Sequence, residues 1–321
     1  MRSQLRGNRT GGSDFTFHEL NLTRPRLDCQ RVAANVSTRM AENPTPILFD
    51  RALLAKRQAR AQQRGAATFL FDRVREDMAE RLAAVKRDFA EIADIGTPRE
   101  GVLTRDRFAS QGRIMLAQDE VLPLAPESLD LAVSALAFQF VNDLPGVLAQ
   151  LRRALKPDGL LLAAMIGGDT LTELRQSFAA AEAECEGGVS PRVAPFVDLR
   201  DLGHLLQRAG LALPVTDVDH VVVRYDNAFA LMADLRGMGA TNILVERRRT
   251  PTRRATMLRM AQIYRERFAD PDGRIRATFD IVWLSAWAPH ESQQKPLRPG
   301  SATASLEEAV RKVSPSPGKG G

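Results

Sequence analysis

Residues 128–165 constrain the fold more than any other stretch of this chain. Two apolar runs, Leu129-Asp130-Leu131-Ala132-Val133 and Leu160-Leu161-Leu162-Ala163-Ala164-Met165, flank a segment that opens at Asp143 and closes at Lys156-Pro157-Asp158-Gly159. Asp143 is a helix-capping residue type, so the spacing predicts a helix over 144–155. The Lys-Pro-Asp-Gly stretch reads as a turn, with Gly159 expected in a backbone conformation open mainly to glycine. Strand, helix, turn, strand is a βαβ unit, which implies a parallel sheet covered on both faces.

Other elements fall around this unit. Residues 49–64 read as a basic helix, and Phe71, Val74, Met78, Leu82 and Val85 share one face of a second. Residues 91–95 form a short strand candidate, and Ile114-Met115-Leu116 marks the end of another. Helices are expected over 198–209, 228–238 and 256–268, with strands over 219–225 and 277–287. In the last strand Phe279, Trp283 and Trp287 recur every four residues, so they share a sheet face, packed under a helix or walling a substrate. His204 reads as a surface or satisfied histidine on its amphipathic helix.

The net charge of +6 suggests a polyanion binder until the charge is located. Residues 1–39 carry seven arginines against three acids, so the remaining body is nearly neutral and nucleic acid is not an expected partner. That segment lacks apolar period and is expected to be a disordered leader or sequence upstream of a true start at Met40. Two distant cysteines and four histidines without metal-binding spacing predict no metal site. No apolar run is long enough to cross a membrane as a helix. The expected organisation is a leader over 1–39, N-terminal helices over 40–90, an α/β domain over 91–290, and an extension over 291–321 whose tail from Ser314 is disordered.

Ligands of open parallel sheets bind at the carboxyl ends of the strands. Asp94-Ile95-Gly96 ends the first strand and supplies a tight turn for a nucleoside cofactor. Asp119 precedes the Leu129 strand, either as an acceptor for an adenine amino group or as a solvated loop acid. Phe138-Gln139-Phe140 follows that strand's end. Arg236, beside Gly237 and Gly239, either binds an acidic substrate group or sits where glycines permit close helix packing.

Leu129–Ser134 together with Leu151-Arg152-Arg153-Ala154-Leu155-Lys156-Pro157-Asp158-Gly159 resembles the core of class I S-adenosylmethionine-dependent methyltransferases. Five stretches narrow the likeness: Gly167-Gly168-Asp169-Thr170-Leu171-Thr172-Glu173-Leu174-Arg175, Gly187-Gly188-Val189-Ser190-Pro191-Arg192, Asp201-Leu202-Gly203-His204-Leu205-Leu206, Leu235-Arg236-Gly237-Met238-Gly239 and Gly300-Ser301-Ala302. These resemble the subfamily of the mitochondrial complex I assembly factor that hydroxylates an arginine, and its bacterial relatives. A more distant likeness is to the malonyl-carrier-protein methyltransferase of biotin synthesis. The resemblance implies a Rossmann-like class I methyltransferase sheet with helices on both faces. It implies S-adenosylmethionine at Asp94, Gly96, Asp119 and Phe138, and a partner or substrate side at Asp169, Thr170, Glu173 and Arg236. It also implies a protein partner such as a complex I subunit, in bacterial cytoplasm or, for a eukaryotic source, the mitochondrial matrix.

The sequence departs from the family's Asp-x-Gly-x-Gly-x-Gly loop. Here Gly96 is followed by Thr97-Pro98-Arg99-Glu100-Gly101, so proline and arginine replace small residues. Only the 22 residues 97–118 separate Gly96 from Asp119. One helix and one strand fit there, so the sheet is expected to be truncated between its first and fourth strands, and the ribose acid has no match beyond the polar Asp106. Two functions follow from this pattern. One is a methyltransferase-class or hydroxylase-type enzyme acting on a protein. The other is a non-catalytic assembly scaffold with a degenerate cofactor site.

Overall fold

A computed structural model describes residues 47–98, 101–103, 111–114, 116 and 119–294. The expectations for the leader over 1–39, Arg99, Asp106, Met115, Gly300-Ser301-Ala302 and the tail from Ser314 lie outside the described residues.

The chain starts with α1 (Arg51–Gln63) and α2 (Phe69–Ala84), then alternates. Strands β1 (Ile92–Ile95), β2 (Gln111–Ile114) and β3 (Leu129–Ala135) precede a short 3-10 turn at Phe138–Phe140. Helix α3 (Leu144–Ala154) leads into β4 (Leu155–Gly167), followed by α4 (Thr172–Glu186) and α5 (Leu199–Arg208). Strand β5 (Ala212–Tyr225), α6 (Ala228–Gly237), α7 (Arg254–Phe268) and β6 (Ile275–Trp287) complete it.

The sheet order is β2-β1-β3-β4-β6-β5. Strands β2, β1, β3 and β4 are parallel. The βαβ expectation therefore holds for the first four strands, whereas β6 runs antiparallel between β4 and β5. The chain moves outward from β1 to β2 and then crosses to β3 on the other side of β1. A crevice opens at such a reversal of strand order.

Period-two alternation divides the core between the two faces of the sheet. Leu131 and Val133 of β3, Leu162 of β4 and Phe279 and Trp283 of β6 pack with α2, α4, α6 and α7. Ala132 of β3, Leu161 and Met165 of β4 and Leu284 of β6 pack with α3 and α5. Trp287 is only partly buried against the first of these cores.

Helix α3 shows how sequence sets an element here. The Asp143 carboxylate accepts from the Gly146 N–H at 2.9 Å, and Leu144, Val147, Leu148 and Leu151 bury one stripe against the sheet. Helix α1 begins two residues later than its pattern suggests. Phe49 bridges to Leu244, and the Asp50 side chain caps the helix through the Leu53 N–H. Helix α4 has no counterpart in the sequence expectations.

The stretch 156–159, expected as a turn between helix and strand, lies inside β4, where the register against β3 shifts between the Leu129–Leu155 and Leu131–Leu160 pairs. Asp158, not Gly159, takes the left-handed conformation, at φ 62°. Its carboxylate offsets that strain by accepting from Arg87 and Gln293. Gly159 is required for space instead, because a Cβ there would lie 2.9 Å from the Lys156 carbonyl oxygen and 3.2 Å from that of Leu129. Gly159→Val is therefore expected to destabilise the protein by more than about 1 kcal/mol. An unchanged urea midpoint would contradict the packing described for this stretch of β4.

Candidate functional site

The crevice between β1 and β3 is occupied by the chain's own groups. The Thr97 side chain is buried, and its hydroxyl accepts from the Ala135 N–H at 2.9 Å. The Ser134 hydroxyl donates to the Ile95 carbonyl at 2.8 Å. The buried Asp94 carboxylate accepts from the Val102 N–H at 2.8 Å. Gly96 adopts φ 69°, and the side of it that a Cβ would face is covered by Leu116, 2.5 Å from that position, and by Ala137. Gly96 donates its N–H to the Ile114 carbonyl at 2.7 Å.

A buried clamp seals the mouth. Glu120 accepts from Arg51 at 3.1 Å, from the Asn142 N–H at 2.8 Å and from the Asp143 N–H at 2.7 Å. Arg51 also donates to the Leu116 carbonyl at 2.8 Å. One salt bridge thus ties α1, the segment after β2 and the start of α3 together. Thr97, Leu116 and Glu120 fill the described part of this crevice.

Beside the crevice lies an open cavity of about 990 Å³. Its floor comes from strand ends: Pro98 after β1, Leu136 after β3, Ile166 of β4 and Phe279 of β6. Its walls are α1, the start of α2, α4, the end of α6 and residues 240–249. Helix α1 is held in place by Asn142, whose side-chain oxygen accepts from the Leu48 and Phe49 N–H groups at 2.8 Å each. The ion pair Arg247–Asp50, at 3.1 Å, holds it from the other side.

The Gly167–Leu171 stretch plays a structural part. Gly168 (φ 55°) lies so close to the Asp280 carboxylate that a Cβ would run into it. The Asp169 N–H donates to that carboxylate at 2.8 Å, and the Thr170 hydroxyl accepts from the Asp280 N–H at 2.8 Å. Asp280 in turn meets Nδ1 of His220 at 2.7 Å. That hydrogen bond, and then the charge of Asp280, raise His220 above its ordinary value of 6.5.

The residues singled out in the sequence are dispersed by the fold. Asp94 and Gly96 sit in the filled crevice. Asp119 is exposed, and its carboxylate turns to the Val121 N–H at 3.3 Å, whereas the neighbouring Glu120 faces inward. Phe138 is a core side chain beneath α3, while the next two residues, Gln139 and Phe140, line the cavity. Asp169 is exposed, and Glu173 is buried on the Thr278 hydroxyl at 2.6 Å. Thr170 and Arg236 reach the cavity. Gly239 packs against Gln58 of α1, and Gly237 against Ala67, so the glycines around Arg236 permit close packing. His204 is exposed on α5. Sequence reasoning missed Thr97, Glu120 and the His220–Asp280 pair. Asp280, an acid inside the apolar run Phe279–Leu284, was the one signal available for that pair.

A methyltransferase-domain family model matches residues 79–163. The chain is 38% identical over 309 residues to the mitochondrial arginine-hydroxylase NDUFAF5 of Homo sapiens, covering 88% of this chain and 89% of that protein. The chain belongs to the NDUFAF5 family. Within the same superfamily, a malonyl-[acyl-carrier protein] O-methyltransferase of Laribacter hongkongensis is 40% identical over 196 residues, covering 61% of this chain and 63% of that protein. Among solved structures, a phosphoethanolamine N-methyltransferase of Haemonchus contortus in complex with S-adenosyl-L-methionine covers 65% of this chain and 51% of that chain, at 14% identity and a TM-score of 0.38. This NDUFAF5-family chain has the α/β sheet with helices on both faces that its motifs imply. Between Gly96 and Asp119, β2 is the one strand among the described residues.

Two outcomes are expected. Thr97→Val leaves the Ala135 N–H without its acceptor and should cost about 1–3 kcal/mol in chemical denaturation; a cost within error would mean the hydroxyl is dispensable to the crevice. For His220, the folded pKa lies above the unfolded one. Its contribution is therefore full below about pH 6.5 and lost as pH rises through the folded value. The Tm advantage of the wild type over His220→Gln should shrink as the pH is raised past that point, and a pH-independent difference would contradict the ion pair.

Proposed function

We propose that this chain is an assembly-factor-type protein that holds a segment of a protein partner in the cavity beside its sheet and does so without the cofactor. A subunit of respiratory complex I is the expected partner, in bacterial cytoplasm or a mitochondrial matrix. The observation that carries this reading is the contrast between two neighbouring spaces. The crevice is filled by Thr97, Leu116 and the Arg51–Glu120 pair, while the cavity next to it stays open.

A nucleoside cofactor gains affinity from backbone N–H groups that approach it closely and from an acid that accepts its ribose hydroxyls. Here the Ala135 N–H is taken by the Thr97 hydroxyl, and the Asp94 carboxylate is taken by the Val102 N–H. Losing two charge-assisted or close hydrogen bonds costs roughly a hundredfold or more in affinity. A second reading, an arginine-hydroxylase or methyltransferase-class enzyme on a protein substrate, is favoured by the name of the relatives at 38% identity.

Calorimetric titration of S-adenosylmethionine and its demethylated product separates the two. The assembly-factor reading expects no heat up to about millimolar ligand. Micromolar affinity would overturn it and restore the enzyme.

A further inference from the structure

Residues 187–197, between α4 and α5, form one rim of the cavity, where Arg192, Val193, Ala194 and Phe196 line it. This strap is built unlike the elements around it. None of its residues is buried. Among the described residues, no backbone–backbone hydrogen bond holds 188–197. Its apolar grip includes one partly buried side chain on each of three cores. Val193 sits against the core under α2 and α4, Val197 against the core under α3 and α5, and Ala194 against the cluster of Phe49 and Leu54.

The polar bonds that hold the strap are gathered at Ser190-Pro191-Arg192, and most of them end on one carboxylate. Glu182 of α4 is 1% exposed, and the hydrogen bonds it accepts all come from the strap. Its Oε2 accepts from the Ser190 N–H at 2.7 Å, and its Oε1 from the Ser190 hydroxyl and from Nε of Arg192 at 2.7 Å each. Burial opposes the charge of Glu182, but the two Ser190 groups and the Arg192 guanidinium outweigh it and hold the carboxyl below its ordinary value. Two further bonds close the same three residues down. Arg192 donates to the Thr252 hydroxyl at 2.9 Å, and the Asn242 side-chain amide donates to the Pro191 carbonyl at 2.7 Å.

Both ends of the strap allow it to turn. Gly187 takes φ 70°, and a Cβ at Gly187 or Gly188 would meet nothing within 4 Å. At the other end Asp198 starts α5 afresh, its carboxylate accepting from the Arg200 N–H at 2.8 Å. Release does not strand a buried anion, because the guanidinium of Arg248, paired with Glu186, stands 4.0 Å from Glu182. A segment with few buried contacts and no backbone ladder opens at a lower free energy than the sheet beside it.

We infer that residues 187–197 are a movable rim of the cavity, latched at Ser190–Arg192 by Glu182, and that they leave their seat as a unit while both sheet cores stay packed. Arg192, Val193, Ala194 and Phe196 leave the cavity wall with the strap. Its use in admitting a chain segment rests on the reading of the cavity as the partner site; the motion itself does not. The latch is one buried side chain on α4, so the position of the rim is set from the rigid part of the fold.

Limited trypsin digestion of the full chain, with each cut quantified by mass spectrometry, tests this. Trypsin takes an arginine side chain into its own pocket, so the Arg192–Val193 bond is cut only after Arg192 has left Glu182. When reclosing outpaces cutting, the rate reads the open population. The Arg259–Met260 bond inside α7, where Met260 is fully buried, reports opening of the core. The first cut should run at least about tenfold faster than the second in the wild type. Glu182→Gln and Ser190→Ala should each speed the first about tenfold further and leave the second unchanged. Ser190 is half-buried, so its variant keeps the test intact if melting curves show that Glu182→Gln does not fold. Equal wild-type rates for the two cuts overturn the inference. So do latch variants that leave the first cut unchanged or speed both alike. No cofactor or partner enters this experiment, so its failure leaves the assembly-factor reading to the cofactor titration, and cofactor binding there leaves the strap in place.

Discussion

The bond from the Ala135 N–H to the Thr97 hydroxyl marks the constraint on which this structure turns. Where β1 and β3 part, the last backbone groups of each strand lose their ladder partners and must find others. A fold of this kind leaves two ways to satisfy them. A ligand accepts the bonds, or the chain turns back and accepts them itself. This chain does the second at Thr97, whose hydroxyl accepts from the last N–H of β3. Beside these groups, Arg51 bonds both the Leu116 carbonyl and Glu120.

The consequence reaches the neighbouring cavity. Once the crevice is a joint, α1 is anchored on it through Arg51 and Phe49, while Asp50 holds the helix from the other side through Arg247. The anchored helix then forms a wall of the cavity and places Arg57 and Arg60 over the strand ends. The specific Gly167–Leu171 and Leu235–Gly239 stretches serve the same wall: the first buttresses Asp280 beneath β4, the second lets α6 pack against α1. Family motifs here encode close backbone packing as much as contacts to a ligand.

The first four strands and their helices were legible because buried parallel strands are apolar runs and helices carry capped, periodic stripes. The truncation after β1 was legible from residue count alone. What escaped was whatever depends on pairing across the chain. The alternation that marks β5 starts at Asp219, yet the strand starts at Ala212, because its partner β6 defines it. Helix α4 was hidden by small and charged residues whose buried side contains Glu173, Ser177 and Glu182. Asp119 and Glu120 look alike as neighbouring acids in a string, and only the fold turns the second inward. The arginines of the cavity come from α1, α6 and loops far apart in sequence, so no single window shows their convergence.

Helix α1 has a core of its own. Phe49, Leu54, Ile243 and Leu244 form a satellite cluster separate from the two that cover the sheet. Elements held by small, independent clusters open at a lower free energy than the elements around the main core. The wall of the cavity is therefore expected to exchange its amide hydrogens before the strands of the sheet do.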